Sequence, residues 1–310
     1  MFSSSQTQSD DIEVPEWASF FSGHEYLRFI KEVNNYFKAK NLQYTIGDGS
    51  IFVSENSFGF GKMGLLNLAQ RCKNEHIDQY GAMIADHFEL MARSHDSFDD
   101  FAKQANEFEK VRRDIGVRLY TEEYIAGIGK ENTLGKDFAG NIYAMLVYDL
   151  PESVINVQPD ALQKWGKTLD ELFDEGIANM KARYPLTLSK ETLEGVNIWI
   201  TQADHFFTPN IAFDIHNHPQ INGSHGTLVG LPGRHVALFY PIENLEVVKA
   251  VNMLISIVYN MHQRGPGSLS NFIFWYRDGE FTSLPYQIEE NKIQFKPPVE
   301  FVNMLNGLGQ

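Results

Sequence analysis

Residues 196–242, VNIWITQADHFFTPNIAFDIHNHPQINGSHGTLVGLPGRHVALFYPI, decide how the rest of the chain is read. From Gly195 to Ile200 apolar and polar side chains alternate, the period of a strand with one buried face. Thr227–Leu231 and His235–Tyr240 are two more runs of strand length around the turn Pro232-Gly233-Arg234, which predicts antiparallel pairing. The same stretch holds five of the chain's ten histidines.

Working outward toward the C-terminus, Glu243–Arg264 has a helical period and is apolar on nearly all sides, which predicts a helix packed on a sheet and covered again. Gly265-Pro266-Gly267 stops it. Phe272–Arg277, the Asp278-Gly279 turn and Glu280–Leu284 read as a hairpin, because Asp-Gly supplies the positive φ of a tight turn. A strand at Lys292–Lys296 ends at Pro297-Pro298, and Val299–Leu305 follows as a terminal helical turn.

Toward the N-terminus, Ile142–Asp149 is an apolar strand onto which Ser153–Val157 folds back across Leu150-Pro151. Pro159-Asp160 opens a helix to about Arg183, whose acidic face (Asp170, Glu171, Asp174, Glu175) reads as solvated before it reads as a cation site. Gly127–Gly140 is a glycine-rich surface loop, and Val117–Tyr120 a short strand. Earlier still come helices at His24–Lys40, Leu65–Arg71, Ile77–Arg93 and Asp96–Glu109, with a hairpin on Gly47-Asp48-Gly49. Gly59-Phe60-Gly61-Lys62-Met63-Gly64 has the spacing of a dinucleotide fingerprint but lacks the parallel strand that this chemistry requires after its helix. The fold class is therefore α+β: antiparallel sheets flanked by helices, in two α/β sandwich-like halves. The divisions are an arm at 1–22, a helix-hairpin-helix half at 23–110 and a C-terminal half at 111–310.

The chain has 310 residues, 43% of them apolar, ample for a core, and 40 acidic against 26 basic side chains give a formal charge of −14. That balance repels phosphate backbones and argues against nucleic acid as a partner. A lone cysteine, Cys72, excludes an internal disulfide or a thiolate zinc site and fits a reducing cytoplasm. The first residues form a polar arm without the apolar core of a secretory signal, and no stretch has the ~20 apolar residues of a membrane span.

Two constellations carry chemistry. In an extended segment Asp214, His216 and His218 share one face, and with His205 or His225 they make a candidate site for zinc, iron or manganese. The His-x-His-Pro string also matches the start of a metalloprotease signature, but Thr227 and Gly230 stand where its serine and aspartate belong. The second constellation, a candidate pocket, is Asp204, His205, Arg234 and His235: an aspartate can orient an imidazole, and an arginine can clamp an oxyanion. On strands, neighbours in each pair face opposite ways, so one member of each lines the pocket, and Arg234 is expected to bond carbonyls or an acidic neighbour. Phe274, Trp275, Tyr276 and Arg277 are a candidate partner surface, since three consecutive rings on a strand cannot all point inward.

Several phrases together add a resemblance. GLLNLAQRC (64–72), VRLYTEEYI (117–125), YDLPESV (148–154), ADHFF (203–207), LPGRHVALFYPI (231–242), GPGSLS (265–270) and FWYRDGEFTSLP (274–285) resemble the landmarks of the YtpQ-like family of uncharacterised bacterial proteins, domain of unknown function 1444. The resemblance spans about Gly64 to Leu284 and implies a bacterial, cytoplasmic α+β protein, with no catalytic residue to transfer. The expected function is binding of another protein, as an accessory, chaperone-like or toxin-neutralising factor. The alternative is a metal-dependent hydrolase centred on His205, Asp214, His216 and His218.

Overall fold

A computed structural model describes residues 13–53, 61–151, 153–265, 267–289 and 292–309, and is α+β with antiparallel sheets. The chain divides after Asp100 into two compact units. In the first, α1 (Gly23–Ala39) starts at a capping box in which Ser22 and Glu25 satisfy each other's backbone N–H groups. It buries Phe29, Val33, Tyr36 and Phe37. Next come β1 (Tyr44–Gly47) and β2 (Ser50–Val53), joined through Asp48 and Gly49 at φ 46° and 66°. β3 (Lys62–Gly64), α2 (Leu66–Lys73) and α3 (Tyr80–Gln104) complete the unit's elements.

β2 pairs with β3 antiparallel, so the fingerprint-like glycines enter a meander and not a βαβ unit. Gly59 and Phe60 of that string lie outside the described residues, as do residues 1–12 of the expected arm. Cys72 is fully buried, and burial pushes its thiol up to about 12, which makes it a packing residue and not a nucleophile. The two helices expected at Ile77–Arg93 and Asp96–Glu109 are instead one, α3, because no breaker separates them before Gln104.

The second unit opens with α4 (Phe108–Val111), β4 (Ile115–Thr121), α5 (Glu122–Ile128), β5 (Gly135–Ala139), β6 (Ile142–Asp149) and β7 (Val154–Asn156). β6 is central here, paired antiparallel with β4 on one side and with β5 and β7 on the other. The surface loop expected at Gly127–Gly140 therefore holds a strand: Gly135 packs so close to the Ala144 carbonyl of β6 that only glycine fits. The single helix expected to Arg183 is two, α6 (Ala161–Trp165) and α7 (Leu169–Arg183). Gly166 at φ 62° ends the first, and a Thr168–Glu171 capping box starts the second. The acidic face of α7 does not converge, since Glu175 pairs with Arg112, Asp170 with Lys136, and Glu171 serves the cap.

The remaining elements are β8 (Ser189–Leu193), β9 (Val196–Gln202), a 3-10 helix at Thr208–Asn217, β10 (Thr227–Gly233), β11 (Val236–Pro241), α8 (Val247–Arg264), β12 (Ile273–Arg277), β13 (Glu280–Leu284), β14 (Tyr286–Glu289), β15 (Lys292–Phe295) and α9 (Val299–Leu308). Six strands form one antiparallel sheet in the order β13-β12-β10-β11-β9-β8. Both faces of its central strands β12, β10 and β11 are covered. One carries Val229, Leu231, Phe239, Phe274 and Tyr276 into a core shared with Val117, Leu119, Ala144 and Leu146 of the β4–β6 sheet. The other carries Leu228, Leu238 and Trp275 against Val251, Leu254 and Val258 of α8 and Phe301 of α9.

This layering corrects two expectations. Phe274, Trp275 and Tyr276 are all buried, the first and third into one core and the second into the other, so only Arg277 of the supposed partner surface is exposed. A strand lined on both faces has no outward side. α8, by contrast, keeps an exposed stripe through Val248, Asn252, Ser256 and Asn260, because it is the outer layer there.

The seat of α8 is testable at Gly230, where an added Cβ would overlap Val258 of the helix. Gly230→Ala is expected to lose about 1–3 kcal/mol in urea denaturation. Gly127→Ala, whose added carbon meets nothing within 4 Å, should stay within about 1 kcal/mol of the parent. Parental stability in Gly230→Ala would mean that α8 is not pressed on β10.

Candidate functional site

Along β4 alternate side chains part company. Ile115, Val117 and Leu119 enter the inter-sheet core, whereas Arg118 and Tyr120 lie on the opposite face. Arg118 is only 6% exposed, and its guanidinium lies over two rings, 5.0 Å from the centroid of Tyr120 and 4.6 Å from that of Phe206. Thr121 caps α5 by accepting the Tyr124 N–H, and this turn stacks Tyr124 on Tyr120 with centroids 4.7 Å apart.

The second arginine comes from the other sheet. Gly233 pairs with Val236, so Arg234 and His235 are the two turn residues between β10 and β11, and strand alternation does not part them as expected. The Arg234 backbone N–H donates to the Gly267 carbonyl at 3.0 Å, and its side chain reaches to 5.9 Å from the Tyr120 centroid. Burial and then the charge of Arg118 pull its guanidinium down to about 10, against the opposing influence of Tyr120 and Tyr124. The expected acidic neighbour is not there: among the described residues neither Arg118 nor Arg234 makes an ion pair, and the Nε of each is buried without a hydrogen-bond partner.

The imidazoles complete the ring of groups. His235 Nδ1 lies 3.1 Å from the Ala203 carbonyl, which can only accept, so Nδ1 carries the proton and Nε2 is bare in the neutral ring. Burial lowers the proton affinity of His235, and Arg234 and Arg118 lower it further, against the Ala203 carbonyl and Asp204. His205 accepts the Phe207 N–H at Nδ1 (3.2 Å), which puts its proton on Nε2, and its ring packs on Tyr184 at 4.6 Å. Burial, then His235, lowers it as well, against Asp149 and Asp204. Asp204 is exposed, and Phe206, 42% exposed, packs 5.2 Å from His235. The candidate pocket of Asp204, His205, Arg234 and His235 is thus brought to one place. Arg118, Tyr120, Tyr124 and Phe206 were missed, though an arginine between Val117 and Leu119 in an apolar strand was a visible signal.

The candidate metal set is not assembled. Residues 208–217 form a 3-10 helix and not an extended segment, so Asp214 and His218 share a side while His216 turns to Asn217, 2.9 Å away. Asp214 accepts from Lys181 Nζ and Asn217 Nδ2, each at 2.6 Å, and lies 3.2 Å from His218 Nε2. These groups edge a cavity of about 200 Å³ lined by Ile177, Met180, Tyr184, Phe207 and Ile211. The His225 carbonyl accepts from the Trp275 indole N–H at 2.9 Å. Among the described residues no three His, Cys, Asp or Glu side chains are grouped to hold a metal ion.

No protein-family model, curated protein or solved structure matches the chain. Among the described residues no helix is long and apolar enough to cross a membrane.

Burial alone would raise the Asp214 carboxyl, but the bonds from Asn217 and Lys181 and the charges of Lys181 and His218 hold it below the usual aspartate range. Its pairing therefore stabilises the fold above the unfolded value of about 4, and that contribution is lost as pH falls through the lower folded value. Asp214→Asn should cost about 1–3 kcal/mol at pH 7, with the difference from the parent shrinking as acid denaturation is followed below about pH 4. A difference that does not change with pH would rule out an ionic role for Asp214.

Proposed function

We propose that this chain is a recognition factor that captures an oxyanion, a phosphate or carboxylate group borne by its partner, between Arg118 and Arg234. One observation carries this: Arg118, buried, and Arg234, half-buried, come from different sheets to one place, and among the described residues neither has a carboxylate partner. Removing a cation from water costs several kcal/mol even after relaxation, and two like charges add repulsion to that cost. A chain with 40 acidic side chains has no shortage of carboxylates to place there. What fits a site left positive in this way is an anion from outside, held by the fork geometry at which guanidinium excels.

The chain's overall negative charge does not oppose this, because the two guanidiniums act at contact range whereas distant surface charges are screened. The exposed rings of Phe206 and Tyr124 offer an apolar border on which the body of the partner can rest. We also read the chain as a cytoplasmic member of the YtpQ-like family. In support, VRLYTEEYI supplies Arg118, Tyr120 and Tyr124, ADHFF supplies Asp204, His205 and Phe206, LPGRHVALFYPI supplies Arg234 and His235, and GPGSLS the carbonyl that fixes Arg234. Four of the seven landmark phrases meet at this one place.

Thermal unfolding in sodium sulfate or phosphate, against sodium chloride of equal ionic strength, tests the reading. The parent should gain stability with a saturable dependence on the oxyanion. Arg234→Met should lose that gain while being at least as stable as the parent without anion, since an apolar side chain of similar length relieves the repulsion. A parent indifferent to every oxyanion, or an Arg234→Met protein that keeps the gain, would refute the assignment.

A further inference from the structure

Resting on that reading, we propose that the group held at Arg118 and Arg234 is a dianion of the phosphomonoester class, and that His235 takes up a proton at Nε2 as the dianion binds, becoming a third cationic donor. The first part follows from charge balance. Two guanidiniums without an acid present two positive charges in a largely dehydrated place. A carboxylate would neutralise one and leave the other buried and uncompensated, whereas a dianion neutralises both. A planar carboxylate is also satisfied by the fork of one arginine, while a tetrahedral group has oxygens for donors arriving from two sheets and from an imidazole.

The second part follows from how His235 is held. Its Nδ1–H is committed to the Ala203 carbonyl, so a second proton can only go to Nε2, which has no hydrogen-bond partner among the described residues. The charged and titratable groups around the ring are Arg234 on its own turn, Arg118 from β4, and Asp204 and His205 from the segment after β9. The two arginines oppose protonation, and Asp204 favours it. When a dianion cancels the arginines the balance reverses, and the new N–H adds a donor to the anion. His205 cannot take this part, because its Nδ1 already accepts the Phe207 N–H and protonation would break that bond. The balance is simple: one proton passes from solvent to Nε2, and no covalent bond of the ligand changes. Proton and anion binding are then reciprocally linked, so that each strengthens the other.

Titration calorimetry of the full chain with sulfate and with acetate, at fixed ionic strength from about pH 5.5 to about pH 8, tests both parts. Sulfate stays a dianion over that range, whereas a phosphate ester itself titrates near pH 6. Sulfate should bind at least about tenfold more tightly than acetate, a margin of about 1.4 kcal/mol. Its affinity should rise as pH falls, toward the limit of about tenfold per pH unit set by one proton. Repeating the titration in buffers of different ionisation enthalpy should show proton uptake by the parent. His235→Gln should lose both the slope and the uptake, while His76→Gln, altering an exposed histidine in the other unit, should keep them. Equal affinity for acetate and sulfate would overturn the dianion assignment while leaving the oxyanion site standing. A slope that survives in His235→Gln would overturn the role of His235, and failure of both anions to bind would remove the oxyanion site itself.

Discussion

Burial of the centre of the six-stranded sheet on both faces is the constraint from which the second unit's architecture follows. A strand with one wet face alternates. Here β10, β11 and β12 carry buried residues at successive positions, because α8 and α9 close one face and the β4–β6 sheet closes the other. Each added layer removes apolar area from water at roughly 25 cal/mol per Å², which stabilises the sheet without demanding polar residues on either side. The same arrangement demands close fits, and Gly230 beneath Val258 is one of them.

The arginine pair lies off that doubly covered core. The β10–β11 turn carries Arg234 and His235 to the face of β4 that does not enter the inter-sheet core. There Arg118 lies between rings that shield it from water without neutralising it. Aromatic faces stabilise a guanidinium by about 0.5–2 kcal/mol, well short of what its dehydration costs, so the pair is stable only because the rest of the unit is. The unpaired guanidiniums therefore cost stability within one small region, a cost that the proposed oxyanion would offset.

The Lys181–Asp214–His218 group makes an instructive contrast. It too is partly buried and ionic, but each charge meets its opposite, and its carboxylate has three donors around it. The arginine pair differs in that neither guanidinium has a carboxylate partner among the described residues.

Much of this was legible in the chain itself. Periodicity located most of the strands and helices, though not β3, β5, β8 or β14, and Asp-Gly marked the hairpin turns, because these signals are local and act over a few residues; the paired residues Asp204-His205 and Arg234-His235 do come together in space. What failed was what depends on distant partners. Whether 208–217 was extended or helical, whether β12 had an outer face, and whether Arg234 had an acidic neighbour were decided by elements far along the chain. Sequence determined which segments had to bury a face. Only tertiary packing determined how many faces were covered and which charges were left without a counterion, since burial and pairing are properties of neighbours in space and are not encoded by any one segment.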